Sequence, residues 1–305
     1  MLKVEGLSFA YDKKTILSQI SFEADLSQVL AVIGKSGSGK STLLKLLYGE
    51  YDLDQGHIYW KNKKILGPSY NLVVGYDFMK YVAQDSDLEP YTAVQENIGK
   101  FLSNFYPEKK AQRTEELLEV VELEHLKNQK VKTLSGGQKQ RVALAQALAK
   151  TPEIILLDEP FSHIDNFKKQ SLRRNVFRYL KTHQITCVLA THDKSDVLGY
   201  ADDMIVLQDQ KIIAQNTPQH LFENPKTPLV ASFFDEFNII NDAIVYAHEL
   251  KIVSKSASKA IVKQSYYQGR YWLIEAFYND STIFLNHTKS LPENAQIFFK
   301  INKKR

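Results

Sequence analysis

The residues with the clearest chemical meaning form a glycine-rich loop with the sequence GKSGSGKST. It matches the pattern G-x-x-x-x-G-K-[ST] and lies, as that pattern requires, between an apolar strand-like run, VLAVIG, and a helical run. In such a loop, main-chain N–H groups and the helix N-terminus bind phosphate oxygens, the lysine contacts the β- and γ-phosphates, and the next hydroxyl binds Mg²⁺. The predicted nucleotide-binding residues here are Gly34, Lys35, Ser36, Gly37, Ser38, Gly39, Lys40, Ser41 and Thr42.

Two adjacent carboxylates, Asp158 and Glu159, follow a second apolar run, IILL. Ligands of open α/β sheets bind beyond the carboxyl ends of the strands. Asp158 is therefore expected to hold Mg²⁺ through water, and Glu159 is the nearest candidate to orient or deprotonate an attacking water. A pair of acids at a strand end can also serve only to cap a helix, and these two residues alone do not decide between the two interpretations.

These two features occur in many kinds of P-loop NTPase, including kinases, helicases and GTPases. A third feature, LSGGQKQR from Leu134 to Arg141, resembles the signature sequence of the ABC (ATP-binding cassette) family, and the residues through LLDEPFSHID continue in that family's order and spacing. Ser135 and the glycines also predict the start of a helix. The resemblance implies that this helix start faces the γ-phosphate bound by a second cassette. The residues that would act in trans are Ser135, Gly136, Gly137 and Gln138.

The resemblance covers Leu2 to about Phe234 and implies further roles. It implies that Tyr11 stacks on adenine and that Gln84 reaches Mg²⁺ and links the nucleotide to a permease. It also implies that Asp165 lies in a loop crossing the dimer interface and that His192 contacts the γ-phosphate. Without it, a lone Tyr or His would indicate packing. The implied cofactors are ATP and Mg²⁺, the implied catalytic residues are Glu159, His192 and Lys40, and the implied metal ligands are Ser41, Gln84 and Asp158.

Apolar strand patterns alternate with helical patterns along most of the chain, which predicts an α/β fold with a mostly parallel sheet covered on both faces. The first two strands alternate in polarity, as expected for antiparallel strands, and residues 86–135 are expected to contain a helical insertion. After Pro228 the chain becomes rich in Tyr, Phe and β-branched residues. We predict an ABC cassette at residues 1–237 and a small all-β, OB-like domain at residues 238–305.

Composition and charge exclude several other classes. The 305 residues are 44% hydrophobic and 24% charged, which is typical of globular proteins. There is no run of about 18 apolar residues that would predict a membrane span and no readable export signal. The single cysteine, Cys187, lies in an apolar run and is expected to be a core thiol, so a reducing, cytoplasmic location fits.

The C-terminal region carries most of the positive charge, with ten Lys and Arg against five Asp and Glu from Asn238 onward. This excess could favour a polyanion, but a solvated surface is the expected explanation, and no nucleic acid partner is expected. The aromatic residues of the region are expected mostly to pack in its core rather than to stack on bases. Those that could be considered for stacking on bases are Tyr266, Tyr267, Tyr271, Trp272 and Phe277.

The segment after the cassette resembles that of importer ATPases for polyamines, ferric iron, sulfate or maltose. The expected partners are a second cassette, in a homodimer, an integral membrane permease and a solute-binding protein. The expected location is therefore the inner face of the cell membrane. Two alternatives remain at this point: an exporter ATPase, and a non-transport ABC ATPase acting on nucleic acid or ribosomes. The cassette does not contact the transported solute, so its sequence does not identify the substrate.

Overall fold

The computed structural model describes residues 1–84 and 87–302, and the chain divides into two compact units, Met1–Pro218 and Gln219–Arg305. The strands of the first unit are β1 (Leu2–Tyr11), β2 (Lys14–Ala24), β3 (Val29–Gly34), β4 (Gln55–Trp60), β5 (Lys63–Lys64), β6 (Met79–Val82), β7 (Ile154–Asp158), β8 (Thr186–Ala190), β9 (Asp203–Gln208) and β10 (Lys211–Asn216). Its helices are α1 (Lys40–Tyr48), α2 (Val94–Ile98), α3 (Pro107–Val120), α4 (Gly136–Leu148), α5 (Asn166–Thr182) and α6 (Lys194–Tyr200).

Two sheets form the framework of the first unit. Strands β1, β2, β4 and β5 make an antiparallel sheet with the order β2-β1-β4-β5. The other sheet has the order β10-β9-β3-β8-β7-β6 and is parallel except for β10. The predicted α/β class is confirmed. Because β3, β7 and β8 are neighbouring parallel strands, their carboxyl ends lie at one edge of the sheet.

The central strands are buried on both faces, as expected for a parallel sheet. Residues that alternate along β7 enter two different cores: Ile155 packs with α4 and α5, whereas Ile154 packs with α1 and the antiparallel sheet. Cys187 on β8 is fully buried, as predicted for a core thiol, and burial raises the pKa of its thiol. No helix among the described residues is long and apolar enough to cross a membrane.

The predicted insertion contains α2, α3 and short 3-10 turns at Glu124–Leu126 and Val131–Thr133. Its predicted first residue, Ser86, lies outside the described residues. The sequence places a break in the helical pattern at Pro107, and this residue begins α3. The first helical position suits proline because its missing N–H has no partner within the helix in any case.

The second unit is a small β domain with two preceding helices. Its elements are α7 (Pro218–Glu223), α8 (Pro228–Phe234), β11 (Phe237–Ile240), β12 (Ala243–Tyr246), β13 (Leu250–Val253), β14 (Ser258–Tyr267), β15 (Trp272–Tyr278), β16 (Ser281–His287) and β17 (Gln296–Ile301). Strands β13 to β17 form an antiparallel sheet with the order β13-β17-β14-β15-β16. The predicted all-β character of this region is confirmed.

The compact unit begins before the predicted boundary between residues 237 and 238, which falls inside β11. The reason is aromatic packing by α7: the Phe222 ring stacks on Tyr246, with 5.0 Å between centroids, and on His248 at 5.9 Å. Helix α7, which precedes the strands in sequence, therefore packs against the β unit and belongs to it. The pattern of the sequence around them, with its three prolines, did not reveal these contacts.

Core packing of the aromatic residues is a wrong prediction for Tyr266, Tyr267 and Phe277, which are exposed. Trp272 does pack against the core of the β unit. The hydroxyl of Tyr266 donates a 2.7 Å hydrogen bond to Glu275 on the neighbouring strand. Tyr266 and Phe277 lie on the face of the sheet that carries Glu275, whereas Tyr267 lies on the opposite face, where its ring contacts Trp272. The alternation of the sequence does not distinguish the covered face from the open one.

Candidate functional site

The glycine-rich loop connects β3 to α1, as predicted, and Lys40 is the first residue of the helix. Gly39 has a φ of 97°, a left-handed conformation that favours glycine, and a Cβ there would come within 2.9 Å of the Leu17 side chain. The loop can thus turn sharply enough to direct several N–H groups toward one point. Ser38 Oγ is buried and has no hydrogen-bond partner among the described residues, so it is available to a phosphate oxygen.

The ammonium group of Lys40 lies inside the loop. It donates hydrogen bonds to the main-chain oxygens of Gly34, at 2.9 Å, and Lys35, at 3.2 Å. Burial lowers the pKa of Lys40, while the carboxylates of Glu159 and Asp158 act to raise it. The structure therefore brings the loop lysine and the two predicted acids into one electrostatic environment at the edge of the sheet.

Asp158 is the last residue of β7 and is buried. Its Oδ2 accepts a 3.2 Å hydrogen bond from the hydroxyl of Tyr81, whereas Oδ1 has no partner among the described residues. Burial and the adjacent carboxylate raise the pKa of Tyr81, so the phenol remains a donor. A buried carboxylate oxygen without a partner is costly unless a cation or water meets it, and Mg²⁺ prefers oxygen ligands. These residues fit a Mg²⁺ site.

Glu159 follows directly and adopts a φ of 50°, which is uncommon for a residue with a side chain. Its Oε2 lies 2.7 Å from Nδ1 of His192, which follows β8. The Glu159 side chain is mostly buried, while that of His192 is 70% exposed. The two predicted catalytic groups are in direct contact, and the exposed imidazole is free on its outer side to meet a ligand.

The residues after His192 are held by a buried network of charges. Arg173 on α5 forms ion pairs with Asp193 and, at 2.5 Å, with Asp196. Although burial acts to raise the pKa of Asp193, hydrogen bonds from the Ser195 N–H, Arg173 and Lys169 hold it well below the ordinary value. This network fixes the start of α6 against α5 and thereby fixes the position of His192.

The signature residues begin α4, as predicted. The Ser135 hydroxyl accepts a hydrogen bond from the Gln138 N–H, and Gln138 Oε1 accepts one from the Ser135 N–H at 2.8 Å. A Cβ on Gly137 would lie 2.4 Å from the main-chain oxygen of His163, so only glycine permits this close approach. Signature and dimer-loop residues line a cavity of about 400 Å³ that contains Asp165 but none of the phosphate loop.

Two further predicted residues lie at the ends of strands. Tyr11 ends β1 and is partly exposed, and its ring packs edge-on against Phe9, at 4.9 Å between centroids, and Tyr51, at 5.5 Å. Gln84 is exposed beyond the end of β6. Stacking of Tyr11 on adenine and binding of Mg²⁺ by Gln84 stay predictions.

Sequence reasoning missed three residues that position this site: Tyr81, Arg173 and Gln140. Gln140 is buried on α4, donates a 2.8 Å hydrogen bond to the main-chain oxygen of Glu159, and accepts one from the His163 N–H. Gln140 belongs to the signature sequence, and a polar residue on the buried side of a helical pattern was an available signal. Tyr81 and Arg173 had no comparable signal, because their partners are remote in sequence.

The amino-acid sequence is similar to those of known proteins. The model of the family described as ABC transporter matches residues 17–162. An Fe(3+) ions import ATP-binding protein of Haemophilus influenzae is 34% identical over 238 residues, which cover 77% of this chain and 67% of the relative. A spermidine/putrescine import ATP-binding protein of Clostridioides difficile is 31% identical over 258 residues, or 84% of this chain and 73% of the relative.

The fold is also similar to that of a solved ATP-binding cassette. The dimeric ATP-binding cassette MJ0796, in a post-hydrolysis state with ADP and Pi, superposes with a TM-score of 0.63 at 26% identity. The match covers 71% of this chain and 98% of that cassette. Together with the phosphate loop, the acids of β7 and the signature helix, these matches establish that the chain belongs to the ABC transporter family, as an ATP-binding and ATP-hydrolysing subunit.

Proposed function

We propose that this ATPase drives the import of a solute through a partner membrane permease, working at the inner face of the cell membrane with a solute-binding protein. The main support is the relationship to import ATP-binding proteins over about four fifths of the chain. The relatives are named for Fe(3+), sulfate or thiosulfate, and polyamines, so they support import without selecting one substrate.

In the proposed reaction, Lys40 and the loop N–H groups bind the phosphates of ATP, and Glu159 orients and deprotonates the attacking water. His192 contacts the γ-phosphate and, through its 2.7 Å contact, holds the Glu159 carboxylate in place. Asp158, Ser41 and Gln84 would hold Mg²⁺, which offsets phosphate charge when bound. Tyr81 orients Asp158 for this role by donating to Oδ2, which leaves Oδ1 for the metal shell.

We further propose that two copies pair, so that the signature helix of each completes the site of the other. Support comes from the separation of the two half-sites within one chain: the cavity of Ser135 to Gln138 and Asp165 has no phosphate-loop residue in its lining. A helix start with a reciprocal N-cap presents further N–H groups that suit an anion. The γ-phosphate bound by the other copy has the matching charge.

The permease is proposed to dock on the insertion, next to Gln84. Tyr91, Phe101 and Phe105 are exposed there, and Phe105 is 92% exposed, whereas Leu88 packs against the core. Phe101 lines a cavity of about 330 Å³ together with Tyr81 and residues of α4. Exposed aromatic residues beside a groove suit an amphipathic helix of a partner.

The docking proposal is tested with the double substitution Phe101→Ser and Phe105→Ser. It is expected to abolish co-purification with the permease while ATP binding by the isolated subunit is unchanged. Tyr70→Ser is the control, since Tyr70 is also an exposed aromatic residue and lies in a different loop. Full assembly and transport by the double variant would contradict the docking surface.

Import itself is tested with the subunit and its co-purifying permease in liposomes. With ATP on the side of the subunit, solute is expected to accumulate on that side, and Lys40→Ala is expected to abolish accumulation. Solute movement in the opposite direction would make the protein an exporter ATPase. Stimulation of hydrolysis by nucleic acid or ribosomes, with no permease recovered, would instead support a non-transport ATPase.

A further inference from the structure

A second cavity lies in the first unit, among residues that no catalytic role uses. It is a cleft of about 480 Å³ between the C-terminal half of α5, the end of α6 and the turn before β3. We call it the α5–α6 cleft. None of the nucleotide-binding or signature residues lines it. Its volume is in the range of sites that hold small molecules.

The wall of this cleft formed by α5 is strongly basic. Arg174, Arg178 and Lys181 all line it and are all exposed. Their spacing of four and three residues places them on one face of the helix. Within residues 1–84 and 87–302, none of the three has a side-chain ion pair or hydrogen bond, unlike the neighbouring Arg173.

Little negative charge balances this wall. Asp202 is the one acidic residue among those lining the cleft, and its Oδ2 already accepts a 2.8 Å hydrogen bond from the Val29 N–H. The cleft therefore carries a net positive charge. Three guanidinium and ammonium groups without partners attract an anionic group, and arginines can bind carboxylate or phosphate through paired hydrogen bonds.

Apolar and aromatic groups form the rest of the lining. The Phe177 and Tyr200 rings stack with 4.4 Å between centroids and an interplanar angle of 12°. Leu180 and Ile185, which also line the cleft, are buried, and Leu198 on α6 is exposed. An apolar floor beside unpaired cations favours a ligand with both an apolar body and an acidic group.

The walls of the cleft are also held in place. Arg173, one residue before the basic wall, is buried and ion-paired to Asp193 and Asp196 at the start of α6. On the other side, the N–H of Ser27 donates a 2.9 Å hydrogen bond to Thr186 of β8. The main chain of the walls therefore needs little reordering on binding, and the cost that remains is that of ordering the basic side chains.

We propose that the α5–α6 cleft is a binding site for a small amphipathic anion, a molecule with a flat or compact apolar body and a phosphate or carboxylate group. The body packs on the partly exposed ring of Tyr200, which is supported from behind by the buried ring of Phe177, and the anionic group meets Arg174 and Arg178. Because α5 follows Asp165 of the dimer loop and α6 follows the segment that contains His192, the ligand lies between two helices that each begin at a predicted site residue.

The test uses phenyl phosphate as the probe, with inorganic phosphate and phenol as its two halves. The full chain is saturated with ADP so that the phosphate loop is filled, and binding is followed by ligand-observed NMR. Phenyl phosphate is expected to bind at least about tenfold more tightly than either half, because it contacts both the apolar lining and the basic wall. A tenfold difference in affinity corresponds to about 1.4 kcal/mol. Comparable binding of inorganic phosphate alone would reduce the cleft to a basic surface and overturn the proposal.

Variants locate the binding. The double substitution Arg174→Gln and Arg178→Gln is expected to weaken phenyl phosphate binding at least about tenfold, because it removes both guanidinium groups that meet the phosphate. Both residues are exposed, so folding is expected to be unaffected. Lys211→Gln removes one exposed charge outside the cleft and is the control, expected to bind as the unaltered chain does. Equal binding by the double variant, or tighter binding of an acidic peptide than of phenyl phosphate, would contradict a small-molecule site.

Discussion

Oε2 of Glu159 and Nδ1 of His192 lie 2.7 Å apart, although the two residues follow different strands. The contact depends on the order of the sheet, since β7 and β8 are neighbours and both end at the nucleotide edge. An acid held by an imidazole in this way cannot turn away from the water it is proposed to activate.

Glu159→Gln is expected to retain ATP binding and to reduce hydrolysis by at least the ~10²- to 10⁴-fold typical of general base catalysis. The amide keeps the shape of the side chain but cannot accept the proton, so ATP-loaded dimers should accumulate. Turnover and nucleotide occupancy of the purified complex with its permease are the measurements. Near-normal turnover would remove Glu159 from the role of base.

Tyr81→Phe is expected to raise the Mg²⁺ concentration needed for half-maximal hydrolysis about 10- to 100-fold, the usual effect of losing a group that orients a metal ligand. The substitution deletes only the hydroxyl that donates to Asp158. Tyr48→Phe is a suitable control, because its ring packs on Tyr81 at 5.7 Å without contacting the carboxylate. An unchanged Mg²⁺ dependence would mean that Tyr81 has only a packing role.

Arg173→Met is expected to lower the free energy of unfolding by about 3–5 kcal/mol, because it leaves the buried carboxylate of Asp196 without its cation. Arg174→Met, at the exposed neighbouring position, should change it by less than about 0.5 kcal/mol. Chemical denaturation of both variants measures the difference. Equal stability of the two would show that the network with Asp193 and Asp196 contributes nothing to folding.

The same network predicts a dependence on pH. Asp193 has a lowered pKa in the folded protein, so its contribution to stability is present above the ordinary Asp value of about 3.9 and is lost as the pH falls below it. Arg173→Met removes one cause of the lowered pKa, so the loss of stability should be smaller and should be complete at a higher pH. Acid unfolding curves that coincide for the variant and the unaltered chain would contradict this.

Two truncations test the domain boundary. A chain ending at Pro218 and one ending at Phe237 are both expected to bind ATP, because the proposed nucleotide-binding residues precede both ends. The longer chain retains Phe222 without Tyr246 and His248, on which it stacks, and should expose more apolar surface and aggregate more readily. A folded truncation that cannot bind nucleotide would contradict the separation of the two units.

The local sequence pattern was sufficient to predict an element whose conformation is determined by its own residues. The sequence predicts a helix from Asn166 to Thr182, and α5 has these bounds. It also predicts the phosphate loop between a strand and a helix. Local pattern was insufficient where a contact depends on sheet order: Tyr81 meets Asp158 only because β6 pairs with β7. It was likewise insufficient for Tyr266, since exposure depends on which face of the sheet is covered.

Cys187, the single cysteine, lies on β8 in the middle of the larger sheet. A fully buried thiol with a raised pKa reacts only after the strands around it separate. The rate of its labelling by a thiol reagent therefore reports opening of the catalytic unit, without an engineered probe. The β unit contains no cysteine, so the labelling rate reports unfolding of the catalytic unit and does not respond to unfolding of the β unit alone.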